Sequence, residues 1–368
     1  MIFFAGGILA FFFEFLLLGK KSKSISDKIL TFWMFILGVH LFLYYFYTKG
    51  FYLQYPHVLA VSIPLPLIHG PLLFLYTGFL TSYFTKWKQK YLLHFLPVIF
   101  FSIYYFDFFI TAGEGKIEFA KNLIRNSDNV RMLFYPAILI SGFSYIFLTF
   151  LLFRRHRWNI LNNLSNSNDK NNLHWLRNLL IGLLVVWLVV LFDNLVLDSS
   201  KADMVIYVTV TLFVAFIGFF GLRQGNIFMN LPNGFLLEEL TAADQHHYSK
   251  SGLTEEHAAE IKHLLPKLME EKKLFLDENI SLPQLAGMLN IHPNYLSQVI
   301  NERFHKNFYD FINSYRVEEF KRAVTLGKNK NKTFFALALD CGFNSKASFN
   351  NSFKKITGTT PSEFVKSL

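Results

Sequence analysis

A single cysteine, Cys341, in 368 residues excludes an internal disulfide and a thiolate metal cluster. The chain also lacks a glycine-rich phosphate loop, a Gly-x-Ser-x-Gly elbow, a paired metal motif and the sequence context of a kinase histidine. His257, Glu260 and His263 fall near one helical face, but without the His-Glu-x-x-His spacing of catalytic zinc sites they read as a solvated surface. An enzyme is therefore not expected, and no cofactor or metal is called for. Charge is scarce as well. Only 17% of residues are charged, against 52% hydrophobic and 18% aromatic, with 44 phenylalanines. That balance is unusual for a soluble protein. Nearly all of the apolar excess lies before residue 223, and the last third has ordinary globular composition.

Seven apolar runs fill the first two thirds, at residues 2–18, 29–47, 58–83, 92–110, 132–153, 179–197 and 204–222. Each is close to the roughly 20 residues a helix needs to cross a bilayer. The first has no basic start and no small-residue cleavage site, so it does not read as a signal peptide. The third contains Pro64, Pro66, Gly70 and Pro71 and must be broken or kinked. Lys20, Lys21, Lys23, Lys28, Lys86, Lys88, Lys90, Arg154, Arg155, Arg157, Lys170, Arg177 and Arg223 all flank alternate ends of the runs. The opposite ends hold fewer basic residues: Lys49, Lys116, Lys121, Arg125, Arg131 and Lys201. The positive-inside rule then puts the N-terminus outside and the C-terminus in the cytoplasm.

Ionisable groups at membrane depth are costly and mark candidate signal or transport sites. Glu14, His40, His69, Asp107, Asp193 and Asn194 qualify. His69, beside the broken third run, and the Asp193–Asn194 pair are the strongest. The polar loop 111–131 is the longest on the outer side and offers an external ligand a surface, but names none.

After Arg223 a mixed linker with Pro232, Gly234 and the solvated-looking His246–His247 pair leads to Thr254. Thr254 reads as an N-cap, with Glu255 and Glu256 in the first turn where they suit the helix dipole. Ala258, Ile261, Leu265 and Leu268 form a stripe bent by Pro266. This helix is placed to relay a conformational change or to pair two chains.

Residues 281–361 then write one pattern twice. Ala286 and Ala338 each stand five positions before a large apolar residue, Ile291 or Phe343. Asn290 and Gly342, just before those residues, are types that tolerate a left-handed turn. A second amphipathic helix follows, anchored by Leu296, Val299 and Ile300 in one copy and by Phe349 and Phe353 in the other. This is a helix-turn-helix plan, repeated. Ser281-Leu-Pro-Gln284 and Thr360-Pro-Ser-Glu363 spell capping boxes. In the first copy Asn294, Tyr295, Ser297, Gln298 and Asn301 face outward, and Asn and Gln can pair bidentately with adenine. Lys346, Asn350 and Asn351 take that role in the second. Arg303, Lys306, Ser345, Lys354 and Lys355 suit phosphate contacts. Residues 308–326 read as one helix of roughly 28 Å at 1.5 Å per residue, able to hold two readers about one DNA turn, ~34 Å, apart.

Residues 282–364 resemble the DNA-binding domain of AraC-family bacterial transcription regulators. The matching residues are Leu285-Ala286, Leu296-Ser-Gln-Val299, Tyr315-Arg316, Leu337-Ala338, Gly342-Phe343-x-Ser345, Phe349, Phe353-Lys354-Lys355 and Gly358-x-x-Pro361. The resemblance implies two helix-turn-helix units joined by a long helix and reading successive major grooves. It places base contacts at Asn294, Ser297, Gln298, Lys346, Asn350 and Asn351. Two positions depart from the pattern. Asn307 stands where a glycine is usual before the connecting helix, and Phe320 replaces an expected alanine, which puts local packing in question.

The chain is thus expected to be all-α: a polytopic helical membrane region at 1–222, a linker with an amphipathic helix at 223–275, and an AraC-type domain at 276–368. The expected function is a membrane-anchored, sequence-specific transcription regulator in a bacterial inner membrane. Its expected partners are double-stranded DNA, the lipid bilayer, RNA polymerase, an unknown signal ligand and, in a homodimer, a second copy. A transporter with a DNA-binding regulatory tail is the alternative.

Overall fold

The computed structural model describes residues 1–58, 61–62, 64–118, 127–166, 174–196, 200–223, 252–327 and 332–368; the side chains of 127–135, 174, 193–196, 200–204 and 223 lie outside that description. Among the described residues the protein is all-α, with no strand and one isolated antiparallel bridge, Leu164 to Ser281. The chain forms two compact units, Met1–Arg154 with His174–Leu231, and Arg155–Leu173 with Pro232–Leu368.

The first unit opens with α1 (Ile2–Leu18) and α2 (Ile25–Thr48). A capping box fixes the start of α2: Asp27 N–H donates to the Ser24 hydroxyl, and Ser24 N–H donates to the Asp27 carboxylate at 2.9 Å. Lys20 Nζ lies 2.7 Å from the same carboxylate. Helix α3 (Pro66–Leu80) starts on a proline, where the missing N–H costs nothing, and carries Pro71 inside. After α4 (Leu96–Tyr104) and α5 (Phe106–Ile110) come three long helices, α6 (Ser127–Asn163), α7 (His174–Val196) and α8 (Ser200–Arg223). Helix α1 packs on α2 and α8. Small residues permit these close approaches; a Cβ on Gly218 would lie 2.1 Å from the Phe13 ring.

Among the described residues, four helical stretches are long and apolar enough to cross a membrane: Ile25–Thr48, Pro136–Asn163, Trp175–Phe192 and Val205–Leu222. The first and third apolar runs form shorter helices, α1 and α3. The fourth run is not one helix, because it splits into a 3-10 segment (Gln89–Phe95), α4 and α5. At 1.5 Å per residue, neither α4 nor α5 alone spans ~30 Å of hydrocarbon.

The second unit contains α9 (Glu255–Lys272), α10 (Leu282–Met288), α11 (Pro293–Arg303), α12 (Phe308–Thr325), α13 (Phe334–Asp340), α14 (Lys346–Thr357) and α15 (Pro361–Lys366). It has two cores. The first gathers Leu285 and Ala286 of α10, Leu296, Val299 and Ile300 of α11, and Phe308, Phe311 and Ile312 of α12. Ala258, Ile261, Leu265 and Met269 of α9 complete it. The apolar stripe of α9 is therefore part of this core. The second core joins Val317 and Phe320 of α12 to Leu337, Ala338, Cys341, Phe343, Phe349 and Phe353. Phe320, at the position where the resemblance has alanine, is fully buried, with its ring centroid 4.7 Å from Phe349 and 5.6 Å from Phe353.

Candidate nucleic-acid interface

Each half of the second unit is a helix, a left-handed turn and a second helix. In the first half the turn residue is Asn290, at φ 58°, between α10 and α11. In the second it is Gly342, at φ 91°, between α13 and α14. The two turns close with the same bonds: Ile291 N–H donates to the Ala286 carbonyl and Phe343 N–H to that of Ala338, each at 3.1 Å. Gly342 has a second constraint, since a Cβ there would stand 2.3 Å from the Phe275 carbonyl oxygen.

The helix starts follow the spelled caps. Ser281 and Gln284 form a capping box at α10, as Thr360 and Glu363 do at α15. Thr254, Thr333 and Ser345 cap α9, α13 and α14 through their hydroxyls. Asn307 does not occupy the left-handed position before the connecting helix. His305 takes it at φ 52°, and Asn307 is the N-cap of α12, its side chain accepting from Asp310 N–H at 2.8 Å.

On α11, Asn294, Tyr295, Gln298 and Asn301 are half-buried, whereas Ser297 is only 5% exposed. Gln298 Nε2 donates to the Glu302 carboxylate at 3.2 Å, and Asn301 Nδ2 to the Ser297 carbonyl at 2.8 Å. Arg303 pairs with Glu255 of α9. On α14, Lys346, Asn350, Asn351, Lys354 and Lys355 are all exposed. Lys355 Nζ lies 2.6 Å from Asp310 of α12. Lys306 is exposed and, with Asn301, His305 and Asn307, lines a groove of about 430 Å³ whose other wall is Trp158, Leu161 and Asn162.

Arg316, at mid-length of α12, is 1% exposed and, among the described residues, faces no carboxylate side chain within bonding distance. Its Nε donates to the Phe275 carbonyl at 2.7 Å. One terminal nitrogen reaches the Ser165 carbonyl (2.9 Å) and Asn313 Oδ1 (3.1 Å), the other the Asp277 carbonyl (2.8 Å) and Ser165 Oγ (3.2 Å). All five guanidinium donors are thus used. Burial pulls its pKa down to about 10, so it stays charged at neutral pH. Its guanidinium also lies over the Phe343 ring at 5.9 Å. The Tyr-Arg pair is visible in the sequence only as part of a resemblance; nothing in the sequence tells that Ser165 meets it.

In the first unit, His69 does not stand alone. Trp33 Nε1 donates to His69 Nδ1 at 3.2 Å, His69 Nε2 lies 3.1 Å from His40 Nδ1, and His40 Nε2 lies 3.2 Å from the Tyr207 hydroxyl. The sequence singles out both histidines without pairing them, and gives no sign of Trp33 and Tyr207, whose polar tips are unremarkable in apolar runs. The side chains of Asp193 and Asn194, the linker with His246 and His247, and most of the outer loop after residue 118 lie outside the described residues.

A family model described as a helix-turn-helix domain matches residues 285–367. Curated relatives similar to this stretch include uncharacterized HTH-type transcriptional regulators of Staphylococcus aureus, from strains COL and MSSA476. Each is 32% identical over 92 residues, which is 25% of this chain and 12% of the relative. The matched stretch therefore spans about an eighth of the length of those relatives. No solved structure matches significantly. The C-terminal part of the chain is a helix-turn-helix domain, homologous to those of HTH-type transcriptional regulators.

Proposed function

We propose that the protein is a membrane-anchored, sequence-specific DNA-binding transcription regulator of AraC type. The observation that carries this reading is the doubled helix-turn-helix: two left-handed turns of the same bonding pattern, two second helices whose polar reading side chains are exposed on α14 and mostly half-buried on α11, and one connecting helix between them. Helix α12 has 18 residues, about 27 Å at 1.5 Å per residue, comparable to the ~34 Å between successive major-groove faces. Asn294, Tyr295, Ser297, Gln298, Asn301, Lys346, Asn350 and Asn351 are proposed to read bases. Ser297 is the weakest member of this set, because at 5% exposure it does not face outward as expected and a buried hydroxyl does not reach a base edge. Arg303, Lys306, Ser345, Lys354 and Lys355 are proposed to hold phosphates, and RNA polymerase is the expected protein partner.

Membrane anchoring is supported by the four long apolar helices and by side chains such as Phe15, Phe100, Phe147 and Leu212, which stand exposed where lipid would cover them. With the basic residues on alternate ends, this favours a bacterial inner-membrane location with the reader in the cytoplasm. The division into a membrane region at 1–222, a linker to 275 and a DNA reader from 276 is part of the same proposal, as is signal sensing at His69, Asp193 and Asn194. The test maps the DNA bound by the full-length protein in cells, then measures affinity for recovered sites in nanodiscs. Specific sites bound far more tightly than random DNA are expected; equal affinity for both would overturn the reading.

A further inference from the structure

The helix-turn-helix match begins at residue 285, yet the unit that contains it includes a piece of chain from far upstream. Arg155–Leu173, which is the end of α6 and the chain that follows it, clusters with the C-terminal domain. Helix α6 runs unbroken through Arg155 to Asn163, and the next residues make specific bonds. Leu164 bridges Ser281, the first residue of the α10 capping box. Ser165 N–H donates to the Ile280 carbonyl at 3.3 Å. Ser165 then gives both of its oxygens to Arg316, and its carbonyl also accepts from Asn313 Nδ2 at 3.4 Å.

Arg316 stands where the two readers meet. It binds the carbonyls of Phe275 and Asp277 on the side of the first core, and lies over Phe343 of the second. A Cβ on Gly342, the turn of the second reader, would stand 2.3 Å from the same Phe275 carbonyl oxygen and 3.0 Å from Arg316 Nε. A buried guanidinium needs all its donors satisfied. Here two of the five bonds come from one residue outside the helix-turn-helix domain. Removing Ser165 would leave a buried charge short of acceptors at the joint between the halves, and the joint would have to rearrange.

We infer that Ser165 is a positioning residue: docked on Arg316, it fixes the angle between the two reading helices, so that the chain segment leaving α6 sets whether both readers fit one DNA site. The segment docked here belongs to the same chain, and it presents a backbone N–H, a backbone carbonyl and a hydroxyl together, a set that serine shares with threonine. The inference concerns control of the site proposed above, and its DNA arm rests on that proposal.

The test has two arms, both on the full-length protein in phospholipid nanodiscs. In the first, spin labels on Glu302→Cys and Lys354→Cys report the distance between α11 and α14; the native Cys341 is buried and escapes labelling. Ser165→Ala, and more strongly Ser165→Pro, which also removes the N–H bonded to Ile280, should broaden the distance distribution. Ser165→Thr, which keeps all three groups, should restore it. In the second, without labels, Ser165→Ala should bind a two-half-site DNA about tenfold more weakly while holding a single half-site unchanged, the loss of one acceptor from a charged donor. An unchanged distance distribution in both the Ala and Pro variants overturns the inference, as does equal loss on full and half sites. If the wild type binds no DNA, the functional reading fails, and the spin-label arm alone still decides this one.

Discussion

The two readers share a plan and differ in material. In the first, the two helices contribute aliphatic side chains, Leu285, Leu296, Val299 and Ile300, which share a core with Phe308 and Phe311 of α12 and with a further helix, α9. The second is built on rings: Phe320, Phe343, Phe349 and Phe353 form a cluster of tilted and edge-to-face pairs with centroid separations between 4.7 and 5.8 Å. Their turns differ likewise. Asn290 takes its positive φ alone, while Gly342 takes it pressed against a carbonyl of the preceding segment. The lesson is that one motif can tolerate a side chain at its turn in one place and exclude it in another. What decides is the neighbour, not the motif.

Three substitutions test this contrast, in falling order of effect. Phe353→Ala empties the centre of the ring cluster and should cost about 3–5 kcal/mol, as large-to-small changes in cores do. Faster alkylation of the buried Cys341 would register it, because that thiol sits in the same cluster. Gly342→Ala should cost roughly 2–4 kcal/mol, since it combines a positive φ with a clash against backbone. Asn290→Ala should cost only about 1–2 kcal/mol, the left-handed penalty by itself. Similar losses from the two would erase the distinction drawn between the turns.

Smaller effects concern recognition. Asn350→Ala should weaken a specific site by about 1–3 kcal/mol while sparing random DNA. Lys354→Ala should weaken both and lower the salt slope by about one. Anisotropy titrations at several salt concentrations separate them, and a uniform loss from Asn350→Ala would remove it from base reading. The smallest effect is at α15. The Thr360 N–H and hydroxyl hold the Glu363 carboxyl below its ordinary value. A depressed acid stabilises the fold fully above its unfolded pKa and loses that contribution as pH falls through the folded one. The protection factor of the Thr360 amide, taken relative to its intrinsic exchange at each pH, should therefore fall on acidification below the ordinary carboxylate range, and Glu363→Gln should remove that pH dependence.

Much of the second unit is legible in the amino-acid sequence, for a local reason. Caps, turn residues and helical stripes act within a few positions, so Ser281, Asn290, Gly342, Ser345 and Thr360 announce their roles in the sequence. Expectation and structure part where partners lie far apart or where a neighbour takes over. Asn307 stands where a glycine is usual, but His305 takes the positive φ and Asn307 caps α12. The stripe of α9 is legible, but not that it shares a core with α10, α11 and α12, which no local pattern reveals. Ser165 carries no signal at all. In the first unit, apolar composition marks the helices but not their ends, so the run at 92–110 reads as one helix where the chain breaks twice.

The row Trp33, His69, His40, Tyr207 holds one further consequence. An indole nitrogen can only give a proton, never take one. With both imidazoles neutral, its gift to His69 Nδ1 leaves the hydrogen of that ring on Nε2, which must then face a bare Nδ1 on His40. The hydrogen of His40 in turn falls on Nε2, pointing at Tyr207. One tryptophan thus sets the sense of every bond down the row, like the first tile of a line. A hydrogen added to either bare nitrogen meets another head-on, so the row accepts no newcomer without some member turning away.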